Sequence, residues 1–195
     1  MEHSGLANAI HHQVALGLGA SEGDCADTMR LALNSLVACG FRVRSVAGLY
    51  RTQPVDCVPG TPEFLNSAVV GTWDRDLDEL LAVCQEIERK LGRPREHSSR
   101  ESRMVDVDIL LADETVTSTE RLTVPHPRFA LRMFVLAPLA EIAGDWRVPP
   151  GMSTVTALRD AVNEREPDWG TRVAGQEWAG HGVNTPGGTG SAPHI

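Results

Sequence analysis

Phe64 to Leu91 reads FLNSAVVGTWDRDLDELLAVCQEIERKL, and its pattern changes character part-way along. Phe64 to Trp73 is apolar and rich in β-branched residues, which predicts a strand. From Asp76 to Leu91 the apolar residues Leu77, Leu80, Leu81, Cys84, Ile87 and Leu91 recur at helical spacing, and Gly92 stops the helix. Downstream, Arg93 to Ser102 is a polar loop and Met104 to Ala112 is strongly strand-like. Upstream, Val14 to Gly17 predicts a short buried strand that ends at the flexible glycines 17, 19 and 23. Asp24 suits the N-cap of a helix with Met29, Leu33, Leu36 and Val37 on one face, closed by Gly40. Phe41 to Tyr50 alternates roughly as a strand, and a loop with Pro54, Pro59, Gly60 and Pro62 follows. The order strand, helix, strand, strand, helix, strand is the split βαβ pattern. It predicts an α+β, ferredoxin-like fold: an antiparallel sheet with helices on one face.

The remainder is less regular. Glu120 to about Val148 predicts a loop and one or two short helices, and Val155 to Val162 another. Residues 13–174 are expected to form one domain, with a loose segment at 1–12. The Gly-, Pro-, Thr- and Ser-rich stretch 175–195 is expected to be a disordered tail.

Composition narrows the function. A formal charge of -8 argues against a broad nucleic-acid surface. It leaves room for an anionic small molecule, because Arg93, Arg95, Arg100 and Arg103 cluster, as do Arg121, Arg128 and Arg132. No apolar run approaches a membrane span. Met1 to His12 lacks the pattern of a secretory signal, so a cytoplasmic location is expected. Cys25, Cys39, Cys57 and Cys84 match no zinc spacing and read as ordinary thiols.

Met104-Val105-Asp106-Val107-Asp108-Ile109-Leu110 carries the chemistry. Residues two apart on a strand share a face, so Asp106 and Asp108 lie together opposite Val105, Val107 and Ile109. Two adjacent carboxylates repel each other and are costly to desolvate. A divalent cation relieves both problems, and magnesium commonly uses one or two carboxylates plus substrate phosphates.

Five blocks in register resemble the 6-hydroxymethyl-7,8-dihydropterin pyrophosphokinase family. They are Ala15-Leu16-Gly17, Leu49-Tyr50-Arg51-Thr52-Gln53-Pro54-Val55, Pro62-Glu63-Phe64-Leu65-Asn66, Asp106-Val107-Asp108-Ile109-Leu110, and Arg121-Leu122-Thr123-Val124-Pro125-His126-Pro127 with Arg132-Met133-Phe134. The resemblance implies ATP as co-substrate and two magnesium ions on Asp106 and Asp108. It implies transfer of diphosphate to a hydroxymethyl pterin, with AMP leaving. It implies nucleotide contacts at Gln85, Glu88, Arg95, Ile109, Arg121, Leu122, Thr123, His126 and Arg132. It implies acceptor contacts at Gly17, Thr52, Gln53, Val55, Phe64, Asn66, Arg103 and Phe134. Arg93, Arg103 and Arg132 are the implied catalytic arginines beside the two aspartates. The expected partners are small molecules, with no nucleic acid or membrane, in a monomer or weak dimer.

Three positions depart from the family pattern. Gly17-Leu18-Gly19 stands where the family has Gly-Ser-Asn. Ser99-Arg100-Glu101-Ser102-Arg103 replaces Arg-Trp-Gly-Pro-Arg in the mobile lid, and Asp56 replaces a glycine after the pocket loop. Two alternatives follow: diphosphate transfer to another hydroxymethyl heterocycle, or a nucleotide- or pterin-binding protein that does no chemistry.

Overall fold

A computed structural model describes residues 11–54, 59–92 and 104–180. The elements in chain order are β1 (His12–Ala20), α1 (Cys25–Ala38), β2 (Arg42–Val46), β3 (Leu49–Thr52), β4 (Phe64–Trp73), α2 (Leu77–Lys90) and β5 (Asp106–Ala112). Then come β6 (Thr117–Ser118), β7 (Thr123–Val124), α3 (Met133–Ala143), β8 (Arg147–Val148), β9 (Ser153–Thr154), α4 (Val155–Asn163) and β10 (Gly170–Ala174). One sheet has the order β10-β3-β4-β1-β5, with β2 also paired to β4, and all its pairings are antiparallel. The expected ferredoxin-like core is therefore present. Among the described residues no helix is long and apolar enough to cross a membrane.

Local chemistry explains the element ends. The Asp24 carboxylate accepts from the Asp27 N–H and caps α1. At the other end Gly40 N–H donates to Val37 O and Phe41 N–H to Leu36 O, a Schellman closure that requires the left-handed φ of +101° at Gly40. Along α1, Met29, Leu33 and Leu36 are buried as expected, whereas Val37 is exposed, because the buried stripe runs through Ala32 instead. The α2 side chains Leu77, Leu80, Cys84 and Ile87 are buried as read from their spacing. Burial pushes the Cys84 thiol up, so it stays protonated, and Cys25, Cys39 and Cys84 are all free thiols.

Four expectations change. First, β1 does not stop at Gly17 but runs through both glycines to Ala20, because β4 and β5 hydrogen-bond it on either side. It also begins at His12, inside the segment expected to be loose. Second, Phe41 to Tyr50 is not one strand. Four residue steps from Val46 to Tyr50 face three from Val69 to Asn66, and the extra residue breaks the run into β2 and β3. Third, α1 and α2 cover one face with Leu16, Leu18, Val69, Val107 and Ile109, but α3 and α4 pack on the opposite face. There Met133, Leu136, Leu139 and Val155 meet Ala15, Ala68, Val70 and Leu111. The mostly apolar sequence of α3 suits a helix buried between a sheet and α4. Fourth, Gly170 to Ala174 forms an edge strand on β3, and Gln176–Ala179 makes a short 3-10 turn in which Ala179 is buried. The stretch from Gly175, read as a disordered tail, is thus structured through Ala179; residues 181–195 and 1–10 lie outside the described residues.

Trp73 ties the first core to the start of α2. It is buried among α1 and α2 side chains, and its indole N–H donates to Asp76 O at 2.9 Å. Trp73→Ala should lower the unfolding free energy by about 3–5 kcal/mol, measured by urea denaturation, through loss of both packing and hydrogen bond.

Candidate active site

Directly opposed residues of antiparallel strands point to the same face. Pairing register therefore builds the site row by row. Tyr50 pairs with Asn66, Asn66 with Gly19, and Gly19 with Asp106. The next row runs Ala68, Gly17, Asp108, and on the other side Thr52 pairs with Phe64. Asp106 and Asp108 thus share a sheet face with Thr52, Phe64 and Asn66, the face that α3 covers further along. Both aspartates are half-buried while Val105, Val107 and Ile109 are buried on the reverse.

Each aspartate stands opposite a glycine, so β1 offers no side chain to cover the carboxylates. Gly19 matters a second time. A β-carbon there would come within 3.1 Å of the Asn66 Oδ1, so the missing side chain leaves room for that amide. Asn66 is buried and its Nδ2 donates to Thr52 Oγ1 at 2.8 Å, which fixes the orientation of the amide.

The outer edge of β5 is closed by two groups from the implied nucleotide set. Val107 N–H donates to the buried Glu88 Oε1 at 2.8 Å, and His126 N–H donates to Leu110 O at 2.9 Å. Glu88 is thus part of the fold as well as of the candidate site. Gln85, one turn earlier, is exposed. The side chains of Ile109 and Leu122 lie in the core under α1 and α2, so only their backbone can meet a ligand. Arg121 is exposed, and Thr123 pairs with Ser118 in the β6–β7 hairpin.

His126 is half-buried. Burial and the Arg132 and Arg128 charges hold its imidazole below the usual histidine range, against the opposing pull of Asp106. The ring is neutral near pH 7, and Nδ1 accepts from Arg128 N–H at 3.3 Å, so Nε2 carries the proton. Arg132 precedes α3 with its guanidinium 5.3 Å from the Phe134 ring centroid. Arg132, Phe134 and Gln53 line one cavity of about 370 Å³, together with Asp168 and Trp169. Phe64 lines a separate hollow with Arg51 and the start of α1. The implied acceptor residues are therefore divided: Thr52 and Asn66 are hydrogen-bonded together, and Phe64 and Phe134 lie in different hollows. Val55, Arg93, Arg95 and Arg103 lie outside the described residues, as do Asp56 and the 99–103 block. Sequence reasoning assigned nothing to Tyr50, Asp168 or Trp169; only the pairing of β10 with β3, a contact remote in sequence, brings the last two near.

Among the described residues no group of three or more His, Cys, Asp or Glu side chains forms a metal cluster. The chemistry of the pair still fits magnesium: two carboxylates on one face, with substrate oxygens and water completing the shell.

A model of the family described as 7,8-dihydro-6-hydroxymethylpterin-pyrophosphokinase (HPPK) matches residues 15–144. The 2-amino-4-hydroxy-6-hydroxymethyldihydropteridine pyrophosphokinase of Bacillus subtilis is 41% identical over 128 residues, 65% of this chain and 75% of that protein. The Methylorubrum extorquens protein of the same name is 39% identical over 159 residues, 81% of this chain and 96% of its own length. The folate synthesis bifunctional protein of Arabidopsis thaliana is 33% identical over 144 residues, and the chain spans only 30% of that relative's length. A crystal structure of Plasmodium falciparum HPPK-DHPS superposes with a TM-score of 0.65 at 13% identity, covering 84% of this chain and 47% of the other. That last likeness concerns the fold alone.

Two outcomes test the geometry of the β5 edge. Glu88→Ala should cost about 1–3 kcal/mol by leaving the Val107 N–H without its carboxylate, read from the urea midpoint. For His126 the folded-state pKa is depressed, so the unfolded chain takes up the proton first as pH falls. Its contribution is complete above about pH 6.5 and is lost as pH drops through the folded-state value. Wild type should therefore lose more stability between pH 7.5 and 5 than His126→Asn, measured by denaturation at both pH values.

Proposed function

The chain belongs to the 7,8-dihydro-6-hydroxymethylpterin-pyrophosphokinase family, and on that basis we propose that it transfers diphosphate from ATP to the hydroxymethyl group of 6-hydroxymethyl-7,8-dihydropterin. The observation that carries this reading is the shared sheet face of Asp106 and Asp108, which the register sets beside Asn66 and Thr52.

In the proposed reaction the acceptor hydroxyl oxygen attacks the β-phosphorus of ATP. A new O–P bond forms, the bond from the β-phosphorus to the α-phosphate oxygen breaks, and AMP departs; the hydroxyl proton passes to solvent. Magnesium held by Asp106 and Asp108 would supply charge neutralisation for the attacking and leaving oxygens. The other tasks belong to the chain's own residues. Arg132 presents a planar fork suited to phosphate oxygens. Neutral His126, with its proton on Nε2, can donate to the nucleotide without adding a full charge. The Thr52–Asn66 pair holds an amide able to donate and accept, as a pterin edge requires. Phe134 offers an aromatic face. Positioning and charge compensation, rather than covalent work by the protein, then account for the rate.

Asp106→Ala and Asp108→Ala should each lower kcat for magnesium-dependent AMP formation by roughly two or more orders of magnitude. Circular dichroism should show both variants folded. Wild-type turnover in both would overturn the assigned role. Arg132→Ala should reduce kcat more than it weakens ATP binding, a split read by comparing steady-state rates with nucleotide affinity.

A further inference from the structure

The family match ends at residue 144, yet the cavity beside Phe134 is walled by residues that come later. Glu166, Asp168 and Trp169 form one side, and Gln53, Arg132 and Phe134 belong to the other. The space, about 370 Å³, lies within the range that holds a small heteroaromatic ligand. It has an aromatic side chain on each side, together with carboxylates that can accept from ring N–H and amino groups.

Backbone geometry places that wall. Gly170 pairs with Thr52, so the residue before it is led alongside Gln53 and the end of β3. The approach is too close for any side chain: a β-carbon on Gly170 would lie 2.6 Å from Arg51 O and 2.8 Å from Thr52 Cγ2. Half-buried Trp169 then packs on Tyr50, with ring centroids 5.6 Å apart and planes tilted by 33°.

A single carboxylate secures the assembly. Glu141 on α3 accepts from Tyr50 Oη at 2.9 Å, from Arg172 Nη2 at 2.8 Å and from Gly48 N–H at 3.3 Å. It therefore joins α3, β10 and the start of β3. Burial alone would raise the Glu141 pKa, but the hydrogen bonds from Arg172, Tyr50 and Gly48 outweigh it and bring the group below its ordinary value. The latch is ionised at neutral pH.

We propose that Trp169, held just ahead of the C-terminal strand, walls the Gln53–Phe134 side of the acceptor site and sets affinity for the pterin, with Arg172 as a positioning residue acting through Glu141 and Tyr50. The inference rests on the diphosphotransferase reading, since Gln53 and Phe134 are assigned to the acceptor through it.

The test uses the full chain and measures the Kd of 6-hydroxymethyl-7,8-dihydropterin in the presence of magnesium and a non-hydrolysable ATP analogue, alongside AMP formation from ATP. Trp169→Ala should raise the pterin Kd and KM by roughly tenfold, with ATP affinity within twofold of wild type. Trp169→Phe should restore most of the loss. Arg172→Met, whose change lies outside the cavity, should shift the pterin Kd in the same direction by a smaller factor and also leaves the proposal testable if Trp169→Ala does not fold. A pterin Kd unchanged within twofold in the folded Trp169→Ala, or in Arg172→Met where that variant alone folds, overturns the wall. Equal weakening of pterin and ATP would mark a general structural role and also overturn it. A wild type that binds the pterin but forms no AMP sinks the transfer reading, and the wall is still decided by the same Kd ratio. A wild type that does not bind the pterin sinks both.

Discussion

Two carboxylates stand on one sheet face, each across from a glycine. That pairing of Asp106 with Gly19 and Asp108 with Gly17 is the constraint on which the candidate site depends. A side chain at Gly19 would project from the same face and crowd the Asn66 amide, and one at Gly17 would meet Leu110. Instead the nearest side chains beyond β1 are Asn66 and Ala68, one polar and hydrogen-bonded, one small. The result is a shallow floor with negative charge on one side and an amide on the other. It is suited to a ligand that brings cations and phosphate together.

The reverse of the same strand does the opposite job. Val105, Val107 and Ile109 are buried under α1 and α2, so β5 is anchored by the packing that also anchors β1 and β4. An edge strand of this kind would present unpaired backbone groups. Glu88 and the His126 backbone N–H meet two of them. Residues that resemble nucleotide contacts therefore also close the edge beside the aspartates. Loss of Glu88 would disturb the strand that positions the acids, and activity alone could not separate the two effects.

Much of this was legible in the sequence because it depends on local period. The helical spacing from Leu77 to Leu91 and the i, i+2 relation of Asp106 and Asp108 are properties of short stretches, and the structure shows the buried faces those patterns imply. Where the reading failed, the cause was pairing between distant segments. The glycines of β1 looked like a turn, but hydrogen bonds from β4 and β5 on both sides hold them extended. The alternation along β5 breaks where Ala15 pairs with Leu111 and Leu16 with Ile109, which inserts Leu110 as an extra residue and turns both Leu110 and Leu111 toward the α3 side. Nothing in the order of apolar residues announces that bulge. The residues implied by the family resemblance show the same division: Thr52 and Asn66 are brought together by the pairing of β3 with β4, whereas Phe64 and Phe134 open onto different hollows.

The C-terminal strand closes the opposite edge of the sheet. Without β10, β3 would be the sheet edge, and its outer backbone groups would face solvent next to Thr52 and Gln53. Covering that edge is a structural need met by five residues with little apolar content, Gly170 to Ala174. Their own side chains contribute little core, so their place is fixed by backbone pairing and by the Arg172–Glu141 contact. Gly170, where no side chain fits, and Arg172, which reaches Glu141, fix the segment in position. The residues just ahead of it, Asp168 and Trp169, bring a carboxylate and an indole to the cavity beside Phe134, apart from the aspartate floor and the two cores.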